Sequence, residues 1–244
     1  MQQDTAQQQT REGAGEAEHD RFGGGTLLLA GVVGSTAYGL AGPDSDVDRL
    51  GMFAVPTICL LGLGKPAESV VTAKPDATYH EAGKAARLIL AGNPTASELL
   101  WLPEDCYEAR TPLGDEAIAL RSSFLSAKRT RDAYLGYATQ QFRKLTAREA
   151  PNRRTAKHAR HLMRLVNQGF ELYTTGLLRI RVEDPDRYFA FGERVAGDPQ
   201  AAVPFMAEAE HRFDSARTVL PKEPDQAAVE AWLLRVRRAF WSEP

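Results

Sequence analysis

Cysteine is scarce in this chain, which has two, Cys59 and Cys106, in 244 residues. They lie far apart and belong to no CxxC or Cys/His spacing, so the sequence predicts neither a zinc site nor a disulfide scaffold. Two separated thiols in a chain of this size fit a reducing compartment, and we therefore expect a cytoplasmic protein.

The sequence also lacks a long hydrophobic run. The longest apolar stretch near the start covers residues 26–34, which is far shorter than the ~20 residues that a membrane-spanning helix needs. The segment before it is acidic and rich in glutamine rather than basic, so it does not resemble a signal peptide. We therefore expect no membrane partner.

Large apolar side chains are almost absent from residues 1–20, so burial cannot offset the entropy of ordering this segment. We predict a disordered tail over residues 1–22. Over the whole chain, 43% of the residues are hydrophobic and 25% are charged, which is typical of a globular protein.

The net charge of −2 indicates no partner, but the charge is unevenly distributed. Residues 128–181 contain thirteen Lys and Arg against three Asp and Glu, a net charge of +10, so the remainder carries −12. This basic segment indicates either a surface that faces a polyanion or an ordinary solvated helix surface. The sequence leaves both interpretations open.

Apolar patterning predicts an α+β chain that divides near residue 110. Before that point it predicts strands at 26–33, 47–55, 69–73 and 77–80 and helices at 82–91 and 95–102. After it the spacing is helical almost throughout, with breaks at Pro185 and Gly197 among others and helices at 113–124, 126–147, 154–175, 200–218 and 225–241. We therefore predict a small sheet-containing domain over 23–110 and a helical domain over 111–244.

Two aspartates, Asp46 and Asp48, lie at the start of the second predicted strand, one just before it and one within it. Residues i and i+2 of a strand project on one face, so these carboxylates lie side by side while Val47 turns into the core. Close ionised carboxylates repel each other, and a divalent cation relieves that repulsion. Magnesium binds one or two carboxylates plus phosphate oxygens, and paired Mg²⁺ ions can activate a hydroxyl and hold a leaving pyrophosphate.

A Gly-Ser pair, Gly34 and Ser35, follows the first predicted strand. Glycine lets the backbone approach a phosphate, serine offers a hydroxyl, and a short helix beginning near Thr36 would direct N–H groups at an anion. The chain has no GxxxxGK[ST] and no GxGxxG, which argues against a P-loop or a dinucleotide fold. Although each part alone is common in turns and strand edges, the combination predicts binding of a nucleoside triphosphate with Mg²⁺.

The stretch GSTAYGLAGPDSDVDRLGMF resembles the nucleotidyltransferases of the DNA polymerase β superfamily, whose signature is Gly-Ser, a spacer of about ten residues and Asp-x-Asp. More narrowly, the stretches DATYHEAGK, GNP, ELLW, KHARHLMR and TTG are similar to the RNA-repair-pathway nucleotidyltransferases of bacteria and phage. The resemblance covers about residues 28–181. It implies a polymerase-β-like fold, a small mixed sheet with flanking helices, that precedes the helical domain.

The resemblance also implies an activity, which is metal-dependent transfer of a nucleoside monophosphate from a nucleoside triphosphate to an acceptor hydroxyl. The implied cofactor is a pair of Mg²⁺ ions, with Mn²⁺ as a substitute, and they require a third carboxylate on a neighbouring strand. We expect Asp76 to complete the metal site with Asp46 and Asp48, because it opens the strand-like DATYH. Glu81 and Glu98 are the alternatives.

Further nucleotide-binding residues follow from the same resemblance. Lys84 falls where the family has a basic residue. In the helix predicted at 154–175, Lys157, His161 and Arg164 share a face that points away from the apolar stripe. We expect all of them to contact phosphates, and His161 is not needed as a general base if metal ions activate the acceptor.

The acceptor is left open by the sequence. RNA is the expected acceptor, and because few aromatic residues interrupt the basic segment, we expect contacts to the backbone of structured RNA rather than stacking on single strands. A small molecule or a protein side chain is the alternative acceptor. A non-catalytic RNA-binding or antitoxin-like protein is the alternative from another class.

Overall fold

The computed structural model describes residues 22–43, 45–146 and 153–241. The predicted tail over 1–22 therefore lies outside the described residues, except for Phe22. That residue is not disordered, because its ring is buried and stacks on Phe53 with the two ring centroids 4.7 Å apart. The prediction of a disordered tail is therefore wrong at its last residue, Phe22.

The sheet is mixed and has five strands in the order β3-β4-β2-β1-β5. The strands are β1 (Thr26–Val33), β2 (Asp48–Ala54), β3 (Ser69–Ala73), β4 (Asp76–Glu81) and β5 (Tyr107–Arg110). β2 and β4 run parallel, whereas β1 is antiparallel to β2. The end of β1 and the beginnings of β2 and β4 consequently meet at one edge of the sheet.

The strand predictions at 26–33 and 69–73 are confirmed, and those at 47–55 and 77–80 differ from β2 and β4 by one residue at each end. The sequence does not predict β5, because its alternation, YEAR, is only four residues long and contains one large apolar side chain, Tyr107. The expectation that Val47 turns into the core is wrong. Val47 precedes β2 and is 41% exposed.

Helices fill most of the remaining described chain. They are α1 (Gly34–Tyr38), α2 (Ala82–Leu90), α3 (Pro94–Glu98), α4 (Pro112–Ala119), α5 (Ala127–Thr146), α6 (Arg153–Thr175), α7 (Pro185–Gly197), α8 (Val203–Ser215) and α9 (Gln226–Ala239), with 3-10 turns at Thr57–Leu60, Glu104–Cys106, Arg121–Phe124 and Pro199–Ala202. None of the described helices combines the length and the apolar character needed to cross a membrane.

α7 was missed because Pro185 and Gly197 were interpreted as breaks. They are instead its first and last residues. Proline suits the first turn of a helix, because the N–H groups there have no carbonyl partner within the helix and the lack of one costs nothing. The Asp184 side chain caps this end of α7 by accepting a hydrogen bond from the Arg187 N–H. Two other predicted helices, at 95–102 and 113–124, end earlier as α-helices than expected.

α5 and α6 pack against each other as an antiparallel pair, with Gln141 of α5 beside His158 of α6. A Cβ on Gly169 of α6 would lie 2.5 Å from the Tyr134 Cβ on α5, so the absence of a side chain lets the helices pack closely. The largest cluster of buried apolar residues includes both sheet residues, such as Leu28 and Leu50, and helical residues, such as Leu162. The division of the chain at residue 110 stays a prediction.

Candidate active site

A cavity of about 900 Å³ opens at the sheet edge where β1 ends and β2 and β4 begin. α6 and α7 form its opposite wall. The cavity brings together nine residues that the sequence singled out, namely Gly34, Ser35, Asp46, Asp48, Asp76, Glu98, Lys157, His161 and Arg164. Its volume falls in the range typical of small-molecule sites.

Gly34 supports Asp48 by direct backbone contact. Its φ is +68°, and a Cβ at this position would lie 2.2 Å from Asp48 Oδ2. Val33, the residue before it, pairs with Asp48 across the β1–β2 ladder. Only glycine fits here without strain or displacement of the carboxylate.

Asp46, Asp48 and Asp76 share this edge. Arg49 pairs with Ala77 in the parallel ladder, so the residues just before them, Asp48 and Asp76, are neighbours on adjacent strands. Burial raises the pKa of Asp48, and the charges of Asp76 and Asp46 raise it further, while Lys157 opposes the shift. The three carboxylates therefore act on one another electrostatically, and Lys157 faces them.

The donor chemistry of this acidic group fits magnesium, because carboxylate oxygens are hard ligands. Among the residues that the structure describes, no three or more His, Cys, Asp or Glu side chains are close enough to hold a metal ion by themselves. Magnesium usually takes one or two carboxylates and completes its shell with phosphate oxygens and water. The three aspartates suit that partial role.

Behind the carboxylates lies a buried ion pair between Arg164 of α6 and Glu98 of α3, which are 2.7 Å apart. The guanidinium also lies 3.9 Å from the centroid of the Tyr38 ring, and the Tyr38 hydroxyl donates to Glu98 at 2.7 Å. Burial raises the pKa of Tyr38 well above its usual value, so this hydroxyl stays a donor. The network connects α1, which follows the Gly34 turn, to α6.

This network corrects two predictions. Arg164 is 1% exposed and its guanidinium is occupied by Glu98, so a direct phosphate contact does not fit its geometry. Glu98 also lines the cavity, but it is equally buried and is already bound by Arg164 and Tyr38, so it fits the third metal position less well than Asp76 does. Burial raises its pKa, and the charge of Arg164 and hydrogen bonds from Tyr38 and Arg164 oppose that shift.

Two further predicted residues lie away from the cavity. Glu81, the other alternative third carboxylate, caps α2 by accepting from the Gly83 N–H at 2.8 Å and pairs with Arg237. Lys84 does not line the cavity. It lies near His80, whose pKa is lowered by burial and then by the Lys84 charge. Glu81 therefore does not fit the third metal carboxylate, and Lys84 does not fit a role in binding the triphosphate.

Some cavity residues were not predicted, among them Arg160, Phe189 and Glu193. Arg160 lies on α6 between Lys157 and Arg164 and covers the Phe189 ring, with its Cζ 5.0 Å from the ring centroid. Helical spacing on the basic face could have identified Arg160. The other two residues belong to α7 and were missed with that helix.

Ion pairs occupy several cations of the basic segment 128–181. Among the residues that the structure describes, the paired Lys and Arg include residues 128, 129, 131, 164, 179 and 181. Most of the acidic partners lie outside the segment, as Asp105, Asp214 and Glu223 do. This pairing lowers the positive charge that the segment presents to a polyanion.

Comparison with family models gives a match over most of the chain. The model of the family described as RlaP, RNA repair pathway DNA polymerase beta family, matches residues 3–182. No curated protein matches the chain. The matched range includes the sheet, the three aspartates and α6, whereas α7 begins after it.

Proposed function

Because the chain belongs to the RNA repair pathway DNA polymerase beta family, we propose that it transfers a nucleoside monophosphate from a nucleoside triphosphate to a hydroxyl group of RNA. Family membership supports a polymerase-β-like nucleotidyl transfer in RNA repair. The metal requirement, the residue roles and the RNA acceptor are our proposals.

One observation supports the proposal above all. Asp48 is held against the Gly34 backbone, between Asp46 and Asp76, with its pKa raised by burial and by both neighbours. Like charges that lie close together in a cavity destabilise the folded protein, and a bound divalent cation stabilises it by offsetting their repulsion. The arrangement also adjoins the Gly-Ser turn, where a triphosphate would supply the remaining ligands.

We assign the metal to Asp46, Asp48 and Asp76, which would hold two Mg²⁺ ions, or Mn²⁺ in their place. When bound, these ions neutralise the charge of the triphosphate and lower the pKa of an acceptor hydroxyl. Gly34 and Ser35 position the phosphates, and Lys157 adds a positive charge on the opposite wall. The acceptor hydroxyl gives its proton to water and its oxygen forms a bond to the α-phosphorus, while the bond from that phosphorus to the bridging oxygen breaks and pyrophosphate leaves.

The acceptor is tested by a labelling survey. The protein is incubated with each α-³²P nucleoside triphosphate, Mg²⁺, and either structured RNA, single-stranded RNA, small metabolites or a protein extract. We expect label on RNA, none with EDTA, and unchanged labelling by a Glu210→Gln control on α8, whose carboxylate is exposed and outside the cavity.

Other outcomes redirect the proposal. Label on a metabolite or a protein side chain would keep the nucleotidyl transfer and replace the acceptor. No label on any substrate, together with no Mg²⁺-dependent binding of a triphosphate, would support a non-catalytic RNA-binding protein instead.

A further inference from the structure

His161 lies on α6 in the wall of the cavity, and its Nδ1 is 3.1 Å from a terminal guanidinium nitrogen of Arg164. A guanidinium has only donors. The Arg164 N–H must therefore donate and Nδ1 must accept, which requires Nδ1 to carry no proton.

The direction of this hydrogen bond is fixed by the groups around Arg164. Gln168 donates through Nε2 to the backbone carbonyls of Arg179 and Ile180, at 2.8 and 3.0 Å. Its Oε1 therefore faces Arg164 and accepts from it at 2.6 Å. With Glu98 accepting from the same guanidinium nitrogen at 2.7 Å, the other terminal nitrogen is directed at His161.

The imidazole is also neutral. Burial and, after it, the charges of Arg164, His158, Lys144 and Lys157 together lower the pKa of His161 to about 3. A neutral imidazole keeps one proton, and because Nδ1 accepts, that proton lies on Nε2. No residue that the structure describes accepts a hydrogen bond from this second nitrogen.

We propose that Arg164 is a positioning residue that holds His161 in the Nε2–H tautomer, so that His161 donates one hydrogen bond to a phosphate oxygen of the bound triphosphate. The identity of the accepting oxygen rests on the proposed function. In this form His161 offers neither a positive charge nor a free basic nitrogen to the substrate. It is thus neither a phosphate-binding cation nor a general base.

The tautomer is measured directly on the full chain without nucleotide. Two-dimensional ¹H–¹⁵N spectra that record long-range imidazole couplings distinguish the tautomers, and the His161 signals are assigned by their loss in His161→Gln. We expect a single Nε2–H pattern that does not change between pH 5 and 8. A titration in this range, an Nδ1–H pattern or a mixture of tautomers would overturn the proposal.

The donor role is measured by calorimetric binding of a non-hydrolysable triphosphate with Mg²⁺. The amide nitrogen of Gln reaches as far from the backbone as Nε2, whereas that of Asn reaches only as far as Nδ1. Because a hydrogen bond to a charged group contributes about 1.5–3 kcal/mol, we expect His161→Asn to weaken binding about 10- to 150-fold. His161→Gln should retain most of the affinity.

The matched control is His211→Gln, which changes an exposed histidine of α8 and should bind as the wild type does. Equal weakening by the Gln and Asn variants at position 161 would contradict the donor role. If the wild type bound no triphosphate, the proposed function and the donor role would fail together, while the spectra would still decide whether His161 is held in the Nε2–H tautomer.

Discussion

Removing the Arg164 guanidinium tests the buried network most sharply. Both side chains of the pair are almost fully enclosed, with Arg164 2% and Glu98 1% exposed. Replacement by methionine fills a similar volume but leaves Glu98 with the Tyr38 hydroxyl as its remaining donor in the network. Breaking a buried pair from one side costs about 3–5 kcal/mol, because the other charge stays buried without a partner.

For a chain of this length, 1 kcal/mol corresponds to roughly 2–4 °C in Tm. Arg164→Met should therefore lower the Tm by roughly 6–20 °C. A second change, Glu98→Gln, removes the orphaned charge while Gln still accepts from Tyr38. The double variant should recover about 1–3 kcal/mol of the loss, a coupling typical of residues in one network.

The loss should also depend on pH. Burial raises the pKa of Glu98, and without Arg164 the main opposing charge is gone. A carboxyl group whose pKa is raised by folding binds its proton more tightly in the folded chain than in the unfolded chain. Its protonation therefore stabilises the folded state fully at a pH below the pKa that the group has in the unfolded chain. This contribution is lost as the pH rises through the pKa that the group has in the folded chain.

Urea and thermal unfolding of the wild type, both single variants and the double variant at pH 5 and pH 8 give the full cycle. Arg164→Met should be less destabilised at pH 5 than at pH 8. Additive losses in the double variant, or a single variant as stable as the wild type, would refute the idea that the two charges stabilise each other.

Three further predictions concern the cavity. Gly34→Ala should lower the free energy of unfolding by about 1–3 kcal/mol, because φ is +68° and the new Cβ would meet Asp48. The same variant should show no triphosphate binding in calorimetry. Gly62→Ala is the control and should change neither quantity, because nothing lies within 4 Å of a Cβ at that position. Asp48→Asn should raise the Tm of the nucleotide-free protein at pH 8 by roughly 1–8 °C, because it removes a carboxylate whose pKa is raised by burial and by the charges of Asp76 and Asp46. A lower Tm would contradict the electrostatic interpretation of the site. Lys157→Ala should weaken triphosphate binding about tenfold in low salt, as expected for the loss of one charge-assisted contact. Lys84→Ala should bind the triphosphate as tightly as the wild type. A larger loss of affinity in Lys84→Ala than in Lys157→Ala would favour the role that the sequence predicts for Lys84.

The sequence predicts the sheet edge well because its signals are local. Strand patterning and the Gly-Ser and Asp-x-Asp spacing depend on neighbours along the chain, and the structure brings Gly34, Asp48 and Asp76 to one edge. The choice of Asp76 depended on its position at the start of a strand, which the structure has as the start of β4.

The remaining parts of the site depend on contacts between distant residues. Arg164 and Glu98 are 66 positions apart in the sequence. Helical spacing alone therefore does not distinguish an arginine that faces a substrate from one that is buried against a carboxylate. Lys84 follows the family spacing but lies on α2, away from the cavity. The wall formed by α7 was hidden because a proline that begins a helix looks like one that ends it.

The most direct test of the central claim measures the transfer of label from an α-³²P nucleoside triphosphate to RNA. The wild type is compared with three variants, Asp46→Asn, Asp48→Asn and Asp76→Asn, and each variant is first checked for a cooperative melting transition. We predict Mg²⁺-dependent transfer by the wild type and at least a hundredfold loss, about 2.7 kcal/mol in the barrier, in every variant. Unimpaired transfer in any one of these folded variants would contradict the assignment of that carboxylate, and unimpaired transfer in all three would contradict the account.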